Sequence, residues 1–389
     1  MEITFAKRMD SFQEGIFTVL NKKKNELLAQ GRTIYNLSVG TPDFKPASHV
    51  MQALTESASK PENYKYSLVE RPALLEAMQN FYDRRFGVQL DTKQIMAVNG
   101  SQEAMTHICW ALCDPGDVVL VPNPGYPIFE VGPFLCGAVI VKYPLYEENG
   151  FLPKFSDIPE ETAKKAKVMV VSYPANPVCA TANDAFYEEL IAFAKKYNII
   201  IIHDNAYADI IYDGEGQSFL KYDGASEVGV EYYSLSKTFD LTGTRVSFVL
   251  GNEAIIQKFR TLRSQIDYGI FYPVQDAAIA ALNGPFDGVK KQQEEYAARN
   301  RALCGGLRSS GWNVTDSKGT MFVWAPIPAS YTSSVQFTLD LMEKSGVIVV
   351  PGSSFGSLGE GYVRMALVLD VPTMEKVVQV IKESGILNA

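Results

Sequence analysis

Seven short apolar runs, separated by segments of helical periodicity, dominate the chain between residues 94 and 251. Several runs are apolar at every position, which is typical of strands covered by helices on both faces. They read QIMAV at 94, DVVLVP at 117, AVIVKY at 138, KVMVVSY at 167, NIIIIHD at 198, VEYYS at 230 and VSFVLG at 246. Strands that alternate with helices predict an α/β fold, with a large, doubly wound, mostly parallel sheet of seven strands.

The pattern changes after residue 285, and this change predicts a second domain. A long charged helix, beginning near residue 287, leads into MFVWAPIP and a further set of strands and helices. We therefore predict a large α/β domain over 50–285 and a smaller α+β domain over 286–389. Residues 1–49 form an arm and part of the small domain, on which a helix over about 10–30 packs through Phe12, Ile16, Leu20 and Leu27.

Composition narrows the classes of function. The 389 residues are 47% hydrophobic and carry a net charge of −8, which disfavours nucleic acid as a partner. The longest apolar run is too short to cross a membrane, and the N-terminus lacks the apolar core of a signal peptide, so a cytoplasmic location is expected. The five cysteines and three histidines do not have the spacing of metal ligands, and no metal is expected.

Polar residues follow most of the predicted strands, at the sheet edge where doubly wound folds bind ligands. They are Ser101 and Gln102 after Gly100, Tyr126, Asn176, Asp204 and Tyr207, and Ser234, Ser236, Lys237 and Arg245 in the segment SLSKTFDLTGTR. Each alone has an ordinary structural explanation, such as a helix cap, a turn or a surface lysine. Independent caps and turns have no reason to gather on one edge, so their convergence indicates a ligand site.

The residue types at this edge define the ligand. A helix N-terminus at Ser101, the two serines and Arg245 suit a phosphate. Tyr126 suits a flat ring, and Asp204 suits a basic ring nitrogen. Asn176 and Tyr207 suit an acceptor oxygen on the ring, and a buried Lys237 amine suits an electrophile. Pyridoxal 5′-phosphate has all of these features, and it is the predicted cofactor.

With these residues in place, the chain resembles the fold-type I pyridoxal-phosphate enzymes of the class I/II aminotransferase family. The resemblance covers nearly the whole chain, through motifs that occur in the family's order. They are NLSVGTPDF, YKYSLVERPALLEAM, NGSQEA, PNPGYPIF, YPANP, HDNAY, SLSKTFDLTGTR and PGSSFGSLGEGYVRMAL. YKYSLVERP and DYGIFYPVQDAAIAAL make the chain most similar to the branch that contains LL-diaminopimelate aminotransferase.

The resemblance assigns a role to each site residue. Lys237 would bind the cofactor as a Schiff base and then act as general base and acid. Asp204 would keep the ring nitrogen protonated, and Asn176 and Tyr207 would bond the ring oxygen. Tyr126 would pack on the ring. The phosphate would be held by Ser101, Gln102, Ser234, Ser236 and Arg245. Arg364 would clamp the substrate α-carboxylate, helped by Asn176 and the backbone at Gly40.

The family is usually dimeric, and a tyrosine of the partner subunit reaches the phosphate. Tyr66 is the first candidate here, with Tyr64 as the alternative. The resemblance therefore implies a homodimer with shared active sites. Its substrates would be an L-amino acid and a 2-oxo acid, which exchange the amino group in a ping-pong reaction.

Four positions depart from the family pattern. Val178 and Cys179 stand where the family has Thr-Gly, so the loop after Asn176 is expected to differ in shape. Thr244 and Ser247 stand where the branch usually carries tryptophan and glycine. None of the four removes a group that performs the chemistry, so these departures bear on substrate preference.

The preference for the side chain of the amino donor is predicted from two regions of the sequence that lack a cation. Dicarboxylate-specific branches place a distal cation directly after the Gly-Ser of the phosphate turn or in the partner's loop near 265–272. Here the first position is Gln102, and QIDYGIFYP carries Tyr268, Phe271 and Tyr272 but no cation. A longer or larger amino donor than aspartate is expected, with LL-diaminopimelate or an aromatic amino acid as the first to test and 2-oxoglutarate as an acceptor.

Two other functions remain to be weighed against an aminotransferase. A carbon–sulfur β-lyase on the same scaffold would keep the same lysine, aspartate and arginine. A cofactor-sensing regulator would carry a fused DNA-binding domain, for which residues 1–35 are too short. An inactive structural protein is disfavoured because every catalytic position is filled.

Overall fold

The structure is a computed structural model that describes residues 1–12 and 16–388. Its strands are β1 (Tyr35–Asn36), β2 (Ile95–Val98), β3 (Val118–Asn123), β4 (Val139–Pro144), β5 (Ala166–Ser172), β6 (Ile200–Asp204), β7 (Gly229–Ser234), β8 (Ser247–Gly251), β9 (Phe322–Pro326), β10 (Val347–Ile348), β11 (Val350–Pro351) and β12 (Tyr362–Ala366). Strands β2 to β8 coincide with the seven apolar runs, to within a few residues at each end.

Over residues 1–12 and 16–388, fourteen α-helices connect and cover these strands. They are α1 (Ile16–Ala29), α2 (Ser48–Ala58), α3 (Pro72–Phe86), α4 (Ser101–Leu112), α5 (Ile128–Cys136), α6 (Glu160–Lys165), α7 (Asp184–Tyr197), α8 (Ala225–Val228), α9 (Leu235–Thr238), α10 (Glu253–Arg263), α11 (Tyr272–Asn283), α12 (Asp287–Ser309), α13 (Ser334–Ser345) and α14 (Val371–Glu383). None of the helices in the described ranges is long and apolar enough to cross a membrane.

The large sheet has the order β2-β8-β7-β6-β5-β3-β4. Strands β4, β3, β5, β6 and β7 are mutually parallel, whereas β8 runs antiparallel to both β7 and β2. The carboxyl ends of β2 and of the parallel strands therefore share one edge with the start of β8. This topology brings the segment before β8, which contains Arg245, to the edge where the other predicted site residues lie.

Helices cover the large sheet on both faces, because its strands are apolar on both faces. Alternate residues of β5 belong to two different hydrophobic clusters: Val168 and Val170 to one, Met169 and Val171 to the other. Side chains of a strand point alternately to opposite faces, so the two clusters are the two layers that cover the sheet. The prediction of a doubly wound, mostly parallel seven-stranded sheet is confirmed.

A second sheet and a strand pair lie outside the large sheet. Strands β11, β12 and β9 form an antiparallel sheet, and β1 pairs in parallel with β10. Helix α1 packs through Leu20 and Leu27 against Met342 and Ile348. The predicted helix over 10–30 was too long at its start, because residues 10 and 11 belong to a separate 3-10 helix (Lys7–Ser11), while residues 13–15 lie outside the described residues. Phe12 does not share the packing of Leu20 and Leu27, since its ring lies against Phe134 at 5.5 Å.

Candidate active site

A cavity of about 440 Å³ opens at the carboxyl edge of the large sheet, a volume in the range of small-molecule sites. It is bounded by the ends of β5, β6 and β7, by the N-terminus of α4 and by residues from β9 and β12. The predicted residues on its walls are Gly40, Ser101, Gln102, Tyr126, Asn176, Asp204, Tyr207, Ser234, Ser236, Lys237, Arg245 and Arg364. Tyr66, which is described in the structure, is the one predicted site residue that does not line this cavity.

One corner of the cavity is built to hold an anion. Gly100 has φ +91° and begins α4, so the free backbone N–H groups of that helix face the corner. The Arg245 guanidinium lies directly over Gly100, where a Cβ atom would collide with it. Ser234 and Ser236 are buried in the same corner, at the end of β7. A glycine is needed at residue 100 both for its backbone angle and for the close approach of the cation.

Lys237 lies at the centre of the cavity, on the single turn of α9. Its Nζ donates a hydrogen bond to the carbonyl oxygen of Gly40 at 2.5 Å. Burial, followed by the positive charges of Arg364 and Arg245, lowers the pKa of Lys237 to about 8, while Asp240 opposes the shift. About a tenth of the amine is therefore neutral at pH 7, far more than for an ordinary lysine, and the neutral form is the one that acts as a nucleophile or a general base.

Asp204 closes β6 at the floor of the cavity. Its Oδ1 accepts a hydrogen bond from the backbone N–H of Ala206 at 3.2 Å, and burial raises the pKa of Asp204 to about 6, against smaller opposing effects of His203 and that hydrogen bond. Such a carboxyl group binds a cation in the cavity more tightly than a solvated one, because its charge has no other strong partner there. Tyr207 follows three residues later, and burial also raises the pKa of its hydroxyl.

Arg364 is the cation on the opposite wall, in the middle of β12. The side chain is 5% exposed, and its guanidinium packs over the rings of Phe322 and Phe355 at 4.0 and 4.8 Å. Its Nη1 donates to Asn176 Oδ1 at 2.8 Å, whereas the buried Nε has no hydrogen-bond partner among the described residues. Burial lowers the pKa of Arg364. A buried guanidinium with no carboxylate partner is a site for a carboxylate ligand.

The contact between Arg364 and Asn176 also sets which groups Asn176 can offer. Its amide oxygen accepts from Arg364, so its NH₂ group remains as the donor for a second ligand oxygen. Tyr126 lines the cavity beside Gln102, and the Tyr126 hydroxyl donates a hydrogen bond to Gln102 Oε1 at 3.4 Å. The structure thus brings a donor, a ring and two arginine cations into one cavity.

Tyr66 and Tyr64 lie on the surface in an exposed apolar patch. Tyr66 is 76% exposed and contacts the Tyr268 ring edge-on, at 5.1 Å between centroids. Tyr64 donates its hydroxyl to Ala58 O at 2.8 Å and packs edge-on against Phe271. Exposed apolar patches of this kind mark interaction sites. We use the name Tyr66 patch for the exposed large apolar residues of the two segments that these ring contacts join, which are Tyr64, Tyr66, Leu68, Val69, Ile266, Tyr268 and Phe271.

Sequence reasoning missed the contribution of Phe322. This residue was predicted only as part of a strand, but its ring lies under Arg364 and edge-on to Tyr207 at 5.8 Å. It also fills the space in which a side chain at Gly40 would sit. The motif MFVWAP carries no signal for this role, because an aromatic residue in a strand is most often a core residue.

Two departures from the family pattern have visible structural consequences. Cys179 adopts the left-handed backbone conformation, with φ +59°, so this loop keeps a turn of the kind that favours glycine. Ser247 is fully buried at the start of β8, and its hydroxyl donates to Ser234 Oγ at 3.1 Å. Ser247 thereby orients one of the serines of the anion corner.

The fold and the site together define a class of enzyme, and comparison with known proteins agrees. The family model for aminotransferase class I and II matches residues 32–381, and the chain belongs to this family. The LL-diaminopimelate aminotransferase of Desulforudis audaxviator is 40% identical over 377 residues, covering 96% of each chain.

Solved structures of relatives share the whole fold. Substrate-bound BacF from Bacillus subtilis superposes with a TM-score of 0.94 at 36% identity, and 98% of each chain is covered. A probable N-succinyldiaminopimelate aminotransferase from Thermus thermophilus has a TM-score of 0.90 at 31% identity, covering 95% of this chain and 100% of its own. The protein is an aminotransferase that acts on an amino acid and a 2-oxo acid. The names of these relatives support this function and give no support to a β-lyase.

Proposed function

We propose that the protein is a pyridoxal-phosphate-dependent aminotransferase whose preferred donor is longer or larger than aspartate. The observation that carries the proposal is the position of Lys237. Its amine, with a lowered pKa, lies in one cavity with the anion corner, the Asp204 carboxyl and the buried Arg364 guanidinium. Few ligands other than this cofactor and an amino acid would satisfy all of these groups together.

The chemistry of the cavity fits the cofactor group by group. The N-terminus of α4, Ser234, Ser236 and Arg245 would hold its phosphate, with Ser101 and Gln102 at the first turn of the helix. Asp204 would pair with the ring nitrogen, and the NH₂ group of Asn176 and the Tyr207 hydroxyl would bond the ring oxygen. When bound, pyridoxal phosphate supplies an aldehyde for amines and a ring that delocalises the electron pair left by a departing α-proton.

Each catalytic step then belongs to a residue of the chain. Asp204, as a carboxylate, keeps a proton on the ring nitrogen through their ion pair. Arg364 orients the substrate by its α-carboxylate, and its unpartnered Nε supplies one of the two donors needed. The Lys237 amine would take the proton from the substrate α-carbon and would return a proton to the carbon of the cofactor's aldehyde group. The two half-reactions of a ping-pong mechanism use this same lysine.

We also propose a homodimer in which the Tyr66 patch is the interface. Its seven members are exposed on the isolated chain and are mainly aromatic or aliphatic, as interface centres are. Tyr66 is a better candidate than Tyr64 for the residue that reaches the partner's phosphate, because the Tyr64 hydroxyl already donates to its own chain. Tyr66 would then complete an active site that lies in the other subunit.

Domain division and location complete the proposal. Domains over 50–285 and 286–389, with residues 1–49 contributing to the second, are supported by the separate sheets and by the packing of α1 on Met342 and Ile348. A cytoplasmic location is supported by the five cysteines, all of which are described and none of which forms a disulfide.

The donor is tested by comparing kcat/KM for aspartate, glutamate, LL-diaminopimelate, phenylalanine and methionine against one common acceptor, 2-oxoglutarate or pyruvate. We expect LL-diaminopimelate or phenylalanine to exceed aspartate, because Gln102 and the 265–272 segment provide no cation for a short distal carboxylate. A preference for aspartate of more than tenfold, about 1.4 kcal/mol, would mean that another cation binds that carboxylate.

A further inference from the structure

Helix α12 reaches across to the catalytic lysine through one buried side chain. Gln292 is 4% exposed, and its Nε2 donates to the carbonyl oxygen of Lys237 at 3.1 Å and to Asp240 Oδ1 at 2.7 Å. An amide NH₂ group has two donors, so both are used on the turn that carries the lysine. None of the roles assigned to the cavity residues accounts for this contact.

A second contact from the same face of α12 reaches the chain segment that accepts the lysine amine. Arg299 lies seven residues after Gln292, two helical turns on, and therefore on the same side of the helix. Its two terminal nitrogens donate to the two carboxylate oxygens of Asp43 at 2.6 and 2.9 Å. Asp43 belongs to the segment whose Gly40 carbonyl accepts the Lys237 amine. One helix thus contacts both the main chain of the lysine and the segment that receives its side chain.

Gln292 is a principal support of the turn that carries Lys237, because that turn borders a crevice on the side where Gln292 contacts it. A crevice of about 490 Å³ lies there, lined by Phe239, Asp240 and Gln292 among others. Thr238 also borders this crevice, and its Oγ1 donates a hydrogen bond to Asp209 Oδ2 at 2.9 Å. Asp240 also has a left-handed backbone, with φ +58°, a conformation that persists only where neighbours hold it.

We infer that Gln292 is a positioning residue for Lys237, holding the turn of the lysine to α12 so that the amine follows the position of that helix. The inference rests on the proposed function, since Lys237 must be the reacting amine. Helix α12 begins the part of the chain that carries Arg364. The hydrogen bond from Gln292 to the Lys237 carbonyl therefore links that part of the chain, which would bind the substrate carboxylate, to the lysine that would move the proton. Asp240 assists by accepting the second hydrogen bond of Gln292.

The test uses Gln292→Met, with Gln293→Met as a matched control. Gln293 is the next residue of the same helix and also donates its amide to a backbone carbonyl, that of Ile211, which is outside the cavity. Each variant loses one side-chain amide that bonds a distant part of the same chain, and each keeps a side chain of similar size. Thermal unfolding measures the structural cost, and we expect similar falls in Tm.

The purified holoenzymes should differ in two other measurements. For Gln292→Met we expect kcat to fall about tenfold with KM changed less than about threefold, since Arg364 and Asn176 still bind the substrate. The pH midpoint of the bound cofactor's absorbance change should fall by about half a unit. Without the Gln292 donor, Asp240 holds its proton to higher pH and stabilises the positive charge on the cofactor-bound Lys237 nitrogen less. Gln293→Met should leave kcat and the midpoint unchanged.

The other charged groups near this turn are the same in both variants. Arg364 and Arg245 act on Lys237, and Asp43 acts on Asp240. Equal kcat and equal midpoints in the two variants would overturn the inference while leaving the proposed function intact. A wild-type protein that shows no cofactor absorbance and no transamination would instead overturn the proposed function.

Discussion

At the scale of single residues, the site depends on two groups whose pKa values burial has shifted in opposite directions. A lysine whose pKa is lowered is neutral at a pH where an ordinary lysine is charged, and a carboxyl whose pKa is raised stays protonated where an ordinary one is charged. Lys237 and Asp204 are therefore the two residues whose titration tests the assignment of roles.

Lys237 should react with acylating reagents at lower pH than an ordinary lysine. In the cofactor-free enzyme, we expect the acetylation rate at Lys237, followed by peptide mass spectrometry, to reach half its maximum near pH 8. An ordinary lysine titrates near pH 10.4. Lys237→Ala should also lose at least about 10²-fold in turnover. A Lys237 labelling midpoint above pH 10 would contradict the proposed environment of the amine.

Asp204 should make cofactor binding depend on pH. In the cofactor-free site the carboxyl is protonated below about pH 6, so pairing with the ring nitrogen must displace that proton, and the affinity for the cofactor should fall as the pH falls below that value. The cofactor phosphate also titrates near pH 6, and Asp204→Asn separates the two effects. We expect the Kd ratio between pH 5 and pH 7.5 to be larger for the wild type than for the variant. Equal ratios would remove Asp204 from this role.

At the scale of elements, the site residues lie at the ends of strands and at the start of a helix, and most of these positions could be predicted from the sequence. The apolar runs predicted β2 to β8, and the rule that ligands bind at carboxyl ends of strands brought Asn176, Asp204 and Ser234 together. The role of Phe322 could not be predicted, because its position depends on β9 packing across the cavity from β6. The contact from Gln292 to Lys237 was equally hidden, since 55 residues separate them.

Gly100 at the start of α4 gives the test at this scale. In Gly100→Ala, the new Cβ would collide with Arg245 and displace it from the anion corner. Gly87→Ala is the matched control, since it has φ +67° at the end of α3 and nothing within 4 Å. Both variants should lose about 1 kcal/mol of stability through backbone strain. Only Gly100→Ala should weaken cofactor binding, by about tenfold, and equal Kd values would contradict this account of the corner.

At the scale of the whole molecule, the proposed dimer makes each active site depend on two chains. Sedimentation should give about twice the 43.0 kDa mass of one chain. Hybrid dimers of Tyr66→Ala with Lys237→Ala should recover activity, because one of their two sites then contains an intact lysine and the intact tyrosine of the other chain. Recovery towards about half of the wild-type activity per dimer supports this arrangement. Mixtures no more active than the average of the two parents would show that Tyr66 does not act across the interface.

The central claim, that the protein transfers an amino group in two separate half-reactions, has one direct measurement. The holoenzyme is mixed with excess LL-diaminopimelate or phenylalanine in the absence of any 2-oxo acid, and the oxo acid and ammonia released are counted. Our account predicts a burst of one oxo acid per subunit, no ammonia, and a restart when 2-oxoglutarate is added. Continuous release of ammonia without an acceptor, from these donors or from a cysteine conjugate, would contradict it and identify a lyase.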